Sequence, residues 1–280
     1  MRTIEDLRAY DESGIGKDRL SSVQKIGLKY CEVLQERIPR KEATEIVNVV
    51  KAACNEVFDG CEVVAGGSYR RGKDSCGDVD VLIFPPEKFD SVDILSGIYR
   101  RLGPNGSRFL TDDLSFDTDQ HDSVQGSNRK LRGSYMGICK LPHFEGMEST
   151  KHRRLDIKTY PKSMYPFALS YFTGSDHWNR SIRYFAKKKG FSLSDQGLVA
   201  EKQCAIDYLR YIGRNEQANS TKLGHMVPGM KSERDIFDTL GLGDLYKEPH
   251  DRVGSIFPPG MGASTVNAYF RRGQHSRGNA

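Results

Sequence analysis

The sequence predicts an α+β fold in which helices precede and follow a block of strands. Apolar residues recur at helical spacing as far as Phe58, alternate with period two between Glu62 and Tyr160, and return to helical spacing from Phe167. No internal repeat interrupts this order. The chain has 280 residues and a mass of 31.5 kDa, room for one large domain or two ordinary ones. Hydrophobic residues make up 37% and charged residues 28%, with a mean hydropathy of −0.58, the composition of a folded chain. Lys and Arg total 42 against 37 Asp and Glu, a net charge of +5. That balance excludes a polycation and allows a local basic face. No apolar run approaches the ~18 residues of a membrane-spanning helix. The opening MRTIEDLRAYDESG has no apolar centre and does not read as a secretory leader.

Ile4, Leu7 and Ala9 open a first short helix. Val23, Ile26, Leu28, Tyr30, Cys31 and Leu34 give a helical stripe up to Ile38-Pro39. Ala43, Ile46, Val47, Val50, Ala53, Cys54 and Val57 predict a helix over 42–58, with Pro39 in its first turn and Asp59-Gly60 ending it. Glu62 to Gly66 reads as a strand, and so does Asp78 to Phe84, stopped by Pro85-Pro86. Residues 91–103 are expected as a helix, and Tyr135–Leu141 and Arg153–Tyr160 as strands. The twenty residues from Ser115 to Ser134 are rich in Asp, Ser, Gln and Asn, which predicts a long loop. Helices are expected at Phe167–Tyr171, Trp178–Lys189 and Ser232–Leu240, with a polar stretch from Arg214 to Lys222. The Gly-, Pro- and Ser-rich residues after Asp251 predict a disordered tail. The six cysteines include no C-x-x-C and no Cys/His pair at zinc-ligand spacing, so they are expected as thiols.

Chemistry concentrates between Gly66 and Asp80. Residues two apart on a strand share a face, so Asp78 and Asp80 project side by side. Two such carboxylates repel unless something neutralises them. Mg²⁺ does so, since it takes hard oxygen ligands from one or two carboxylates and a substrate phosphate. Val79 and Val81 face the opposite way, into a core. Asp156 alternates with Leu155 and Ile157 and is the candidate third carboxylate. Gly66-Gly67-Ser68 follows a strand and permits close backbone approach to a ligand. Arg71 supplies a bidentate phosphate fork, and Gly77 a backbone N–H for an anion cradle. Taken singly, G-G-S is a common turn, D-x-D a common solvated face and Arg70-Arg71 ordinary surface charge. Their conjunction, with ten residues from Ser68 to Asp78, points to a metal–nucleotide site.

Residues 67–80 read G-S-Y-x-R-G-x-x-x-C-x-D-V-D, followed by Arg153-Arg154-Leu155-Asp156-Ile157 and then Tyr171-Phe172-Thr173-Gly174-Ser175 with Asn179 and Arg183. These three blocks resemble the signature of the family X DNA polymerases, in the nucleotidyltransferase superfamily, on the beta and lambda branch. The likeness runs from about Thr3 to Tyr246-Lys247-Glu248-Pro249.

The resemblance implies a nucleotidyltransferase palm built on a mixed β-sheet. A helical DNA-binding segment would precede it, and a helical nucleotide-binding subdomain with a small sheet would follow. The implied boundaries are a DNA-binding segment at 1–58, a palm at 59–160, a nucleotide-selection subdomain at 161–250 and a tail at 251–280. It implies template-dependent addition of dNTPs to a primer 3′-hydroxyl, in short-gap filling for base excision repair or end joining. Asp78, Asp80 and Asp156 would hold two Mg²⁺ ions, with Mn²⁺ as a substitute. Gly67, Ser68, Arg71 and Gly77 would hold the triphosphate, with Arg37 as a longer-range partner. Cys76 stands where some relatives have serine. Tyr171 and Phe172 would crowd the sugar 2′ position, beside a cis Gly174-Ser175 bond. Asp176 and Asn179 would contact the nucleotide, and Arg154, Arg180, Arg183 and Lys187 the DNA. The stretch from His177 to Lys189 has no acidic residue, which suits DNA phosphates. Lys187-Lys188-Lys189 also reads as nuclear targeting. The partners implied are gapped or primer-template DNA and dNTP, with no membrane, for a nuclear monomer.

The sequence departs from this pattern in two places. No lyase domain or first helix-hairpin-helix precedes Thr3, so deoxyribose-phosphate lyase activity is expected to be absent, and Gly14-Ile15-Gly16-Lys17 reads as a linker. The 115–134 loop approaches the length used by template-independent relatives. Those relatives usually carry Gly-Trp in place of Tyr171-Phe172 and His in place of Gly77, which favours templated synthesis with some end-bridging. A terminal transferase-like enzyme, a nucleotidyltransferase acting on RNA or small molecules, and a non-catalytic DNA-end scaffold are the alternatives.

Overall fold

A computed structural model describes residues 3–13, 20–86, 91–117, 133–142, 150–200, 227 and 229–271. The Gly14–Lys17 linker, most of the expected 115–134 loop, the Arg214–Lys222 stretch, Cys204 and the last nine residues lie outside the described residues. The chain divides into two compact units. One comprises Met1–Ala65 and Asp74–Thr159, the other Gly66–Lys73 and Tyr160–Ala280.

The first unit is built on a five-stranded sheet in the order β2-β4-β7-β6-β5. Its strands are β2 (Glu62–Ala65), β4 (Val79–Phe84), β5 (Leu110–Asp117), β6 (Gly133–Lys140) and β7 (His152–Thr159). β4 and β7 run parallel and the other pairs antiparallel, so the sheet is mixed. A two-residue ribbon, β1 (Ile38–Pro39) against β3 (Ser75–Cys76), accompanies it. The helices are α1 (Ile4–Ser13), α2 (Ser22–Tyr30), α3 (Arg40–Val57) and α5 (Ser91–Leu102). Ala43, Ile46, Val50, Ala53 and Cys54 are buried on α3, as are Ile94, Leu95, Ile98 and Leu102 on α5. Burying each large aliphatic side chain contributes about 1.5–3 kcal/mol.

Odd-numbered residues of β7 face these helices. Arg153 meets Glu42 of α3, and Thr159 lies against Gly133, where an added Cβ would come within 2.8 Å of Leu95. Arg154, Asp156 and Lys158 therefore share the opposite face. The Arg153–Glu42 contact is a bidentate, buried ion pair with both hydrogen bonds at 2.8 Å.

Several sequence expectations are corrected. The 1–58 segment is no separate unit, because α3 buries its apolar face in the same body as the sheet. The stripe up to Ile38 breaks into α2 and a 3₁₀ turn at Val33–Gln35, and Pro39 is the N-cap of α3. The glycine turn after β2 is a one-turn helix, α4 (Gly67–Arg70). Residues 115–117, expected in a loop, complete β5, where tyrosines satisfy Asp112 and Asp113. Asp112 accepts from Tyr30 and Asp113 from Tyr135, at 2.6 and 2.9 Å.

The second unit contains α4, α6 (Tyr165–Thr173), α7 (Asp176–Lys188), α8 (Glu233–Thr239), α9 (Ala263–Arg271) and the hairpin β8 (Phe191–Leu193)–β9 (Leu198–Ala200). Trp178, Ile182, Phe185, Phe237, Leu242 and Ile256 anchor its core. The expected disorder after Asp251 is wrong for residues 251–271. Ile256 is fully buried, Tyr269 donates to Asp244 at 2.7 Å, and the Phe270 ring lies 4.8 Å from that of Phe185. These three side chains hold a segment whose average composition is loop-like.

Truncating one partner of a buried ion pair strands the other charge at a cost of about 3–5 kcal/mol, whereas replacing both is often neutral. Glu42→Leu is therefore expected to lower the urea midpoint strongly, and Glu42→Leu with Arg153→Met to recover most of the loss. Equal midpoints for the two variants would contradict this role.

Candidate active site

The sheet brings Asp80 and Asp156 together. They are register partners on the parallel strands β4 and β7, and Asp78 immediately precedes β4. The alternation that buries Val79, Val81, Leu155 and Ile157 turns Asp80 and Asp156 to the other face. Asp156 is buried, and its Oδ1 has no hydrogen-bond partner among the described residues. Burial, reinforced by Asp78 and then Asp156, pushes the Asp80 carboxyl up to about 7. Burial also raises that of Asp156, against the opposing pull of Arg154 and Lys158.

Arg154 donates to this cluster. Its Nη2 lies 2.6 Å from Asp78 Oδ2 and 3.4 Å from Asp156 Oδ2. It thus bridges two carboxylates in the electrostatic role a cation would take. Among the described residues no three His, Cys, Asp or Glu side chains are gathered as a closed metal-ligand set. The chemistry of the donors nonetheless fits a hard divalent ion: adjacent carboxylates, a surplus of negative charge over Arg154 and Lys158, and an unfilled buried oxygen. Lys158, which alternates with Asp156 on β7 as the period-two pattern predicts, donates to Ser134 at 3.0 Å.

The β1–β3 ribbon brings Arg37 to Gly77. Arg37 Nε donates to Ser75 Oγ at 2.9 Å, and a Cβ on Gly77 would meet its guanidinium at 4.0 Å. Cys76 is fully buried against Ile38, so its thiol is turned away from any ligand at this ribbon.

In the second unit, α4 carries Ser68 and leads to Arg71. Arg71 donates to the Thr173 carbonyl, and Arg70 to Thr173 Oγ1. Gly174 follows at φ +62°, where a side chain would be strained and its Cβ would crowd Arg71 at 3.2 Å; the Gly174–Ser175 peptide is cis. Ser175 caps α7. Asn179 Nδ2 donates to the Tyr171 carbonyl at 2.6 Å, and the Arg183 guanidinium lies 5.8 Å from the Tyr171 ring. Tyr171, Asn179, Arg183, Ser170 and Ser194 line a cleft floored by Phe167 and Ile182. Phe172 packs edge-on to Tyr171 at 5.1 Å, and Asp176 pairs with Arg180 on the exposed side of α7.

Sequence reasoning missed the buried carboxylate that ties this unit together. Glu233 pairs with Arg70 at 2.7 Å and with the fully buried Arg252 at 2.6 Å. Partners this far apart in the chain leave no local spacing signal.

Residues 37–162 match the DNA polymerase beta palm family and residues 168–253 the DNA polymerase beta thumb family. The chain belongs to the family X DNA polymerases. It is 39% identical over 251 residues to DNA polymerase lambda of Rattus norvegicus and 34% identical over 251 residues to that of Arabidopsis thaliana. These alignments cover 90% of this chain and 38% and 42% of the relatives. It is 29% identical over 220 residues to the human DNA-directed DNA/RNA polymerase mu, covering 72% of this chain and 42% of that protein. The chain thus spans about two fifths of the length of the curated relatives it matches. The palm match starts at Arg37 and so takes in α3, which agrees with the packing of that helix and not with a boundary at 58.

A carboxyl held above its ordinary value favours the protonated folded state. The folded chain keeps a proton on Asp80 that the unfolded chain has released, so this group destabilises increasingly from about pH 4 and fully above about pH 7. With divalent ions chelated, Asp80→Asn is expected to raise the urea midpoint at about pH 8 and to leave it nearly unchanged at about pH 4. An equal shift at both would contradict the assigned burial.

Proposed function

We propose that this chain catalyses template-dependent DNA synthesis, adding dNTPs to a primer 3′-hydroxyl by two-metal nucleotidyl transfer. The observation that carries the reading is the parallel register of Asp80 and Asp156, with Asp78 alongside and Asp156 Oδ1 buried without a partner. The setting we propose is short-gap filling in nuclear base excision repair or end joining, by a monomer acting on gapped or primer-template DNA.

Asp78, Asp80 and Asp156 would hold the divalent ions, Mg²⁺ or in its place Mn²⁺. When bound, such ions supply Lewis acidity to the primer 3′-oxygen and neutralise charge on the departing pyrophosphate. In the transfer the 3′-oxygen bonds to the α-phosphorus, the bond to the bridging oxygen breaks, and pyrophosphate leaves. Asp156, opposite Asp80 on β7, is the carboxylate we assign to accept the 3′-hydroxyl proton. Ser68 and Arg71, with the Gly67 backbone, take triphosphate oxygens, as do Arg37 and Gly77. Because Arg71 is tied to Thr173, its guanidinium is held near Tyr171 and Phe172, which crowd the sugar 2′ position. Asp176 and Asn179 contact the nucleotide. Arg154, which holds Asp78 and Asp156 here, would be free to take the DNA backbone where those carboxylates hold ions instead.

The test is one-nucleotide-gap filling with Mg²⁺ or Mn²⁺. Asp156→Asn is expected to slow incorporation at least about a hundredfold while leaving DNA affinity, read by fluorescence anisotropy, unchanged. Wild-type rates in the variant would leave the scaffold reading in place.

A further inference from the structure

We propose that Tyr184 is a stacking platform for an unpaired template base, on a cationic face of α7 that grips the phosphates of that single strand. The inference rests on the polymerase reading and extends it to a residue and a strand segment.

α7 has two unlike faces. Trp178, Ile182, Phe185 and Ala186 fall on one side and are all 2% exposed or less. Arg180, Arg183, Tyr184, Lys187 and Lys188 fall at i, i+3, i+4, i+7 and i+8, which places them on one stripe of the opposite side. Tyr184 is 59% exposed, and among the described residues it is the one Phe, Tyr or Trp left open to solvent. The Lys188 ammonium sits 5.5 Å from its ring centroid. Arg180 is engaged by Asp176, so the outward charge rests on Arg183, Lys187 and Lys188, which share the stripe with the ring.

A lone exposed tyrosine needs no explanation, and a lysine-rich helix face is commonly just solvated. An exposed aromatic plane with one cation at its face and two more on the same helix stripe is a different object. It is the combination that binds single-stranded nucleic acid: cations track the phosphates, and the ring stacks on whichever base is presented. A duplex keeps its bases stacked inside and offers the ring nothing, although its phosphates still attract the lysines. Direction follows from Arg183, which also borders the cleft lined by Tyr171 and Asn179. A strand laid on this face therefore leads away from the nucleotide cleft, as the unpaired template beyond the pairing position does. Charge complementarity selects a polyanion, and the exposed ring selects one with accessible bases.

The experiment uses the full chain and two DNAs, a blunt duplex and the same duplex with a 5′ template overhang carrying 2-aminopurine. Tyr184→Ala is expected to weaken overhang binding about tenfold and blunt-duplex binding less than about twofold. It should also abolish the quenching of 2-aminopurine that the wild type produces, and Tyr184→Phe should restore both. Lys187→Ala is expected to weaken both DNAs and lower the salt slope by about one. Equal effects of Tyr184→Ala on the two DNAs, or quenching that survives it, would overturn the proposal alone. A wild-type chain that binds neither DNA would sink this inference and the polymerase reading together.

Discussion

Two carboxylates forced side by side on neighbouring parallel strands set the terms for the rest of the first unit. Asp80 and Asp156 repel, and both are largely removed from water, so nothing local favours their approach. The approach is imposed from the opposite face of the sheet. Val79, Val81, Leu155 and Ile157 are buried there, and a slip of one residue would exchange them for the acids. The Arg153–Glu42 pair fixes β7 against α3 at the same point, and its immediate neighbour Arg154 faces the acids and offsets part of their charge. Adjacent arginines on one strand thus serve the two faces, one in the support and one in the site. The remaining mismatch, an unfilled oxygen and a carboxyl near neutral pKa, marks where the fold gives up stability for chemistry.

The second unit uses buried charge differently. Glu233 at the start of α8 receives two arginines from distant parts of the chain, Arg70 from the 66–73 segment and Arg252 from beyond Pro249. Arg252 also lies over the Trp178 and Tyr246 rings, and its carbonyl accepts from Ser175. Through Arg70 and Arg71 the same cluster reaches Thr173, the residue before the Gly174 turn. Removing Glu233 would leave two cations facing one another in a mostly dry setting. One carboxylate therefore fixes the 66–73 segment, the turn beside the cleft and the start of the C-terminal segment in a single arrangement.

How much of this was legible follows from the range of each signal. Period-two alternation is local, and it was enough to set Asp78 and Asp80 beside one another and to nominate Asp156. The amphipathic faces of α3 and α7 were equally plain. β5 was not, because Asp112, Asp113, Ser115 and Asp117 look like loop residues until the tyrosines that bond the first two are in place. Neither was the 251–271 segment, where Ile256, Tyr269 and Phe270 are too sparse for a periodic signal and matter only once Phe185 and Asp244 are opposite them. The Glu42–Arg153 and Arg70–Glu233 pairings join residues more than a hundred positions apart, and no spacing rule reaches so far. The sequence speaks for individual side-chain chemistry and for single-element faces. It is silent on which buried charges answer one another.

α7 shows a third way of placing charge at a functional surface, one that works with the local structure. Asp176 stands in its first turn and Lys187 and Lys188 in its last, each sign at the end of the helix dipole that it complements. Ser175 caps the N-terminus, and Trp178, Ile182 and Phe185 anchor the buried side. The cations that would hold DNA therefore cost this helix little, in contrast to the acids on β4 and β7, which persist only because a sheet and an ion pair oppose their repulsion. Positive charge on an exposed helix is compatible with stability, so substitutions along that stripe can change its charge without disturbing the fold. Negative charge in a buried strand pair is not, and there a neutral residue of the same shape would suit the fold better than the acid it has.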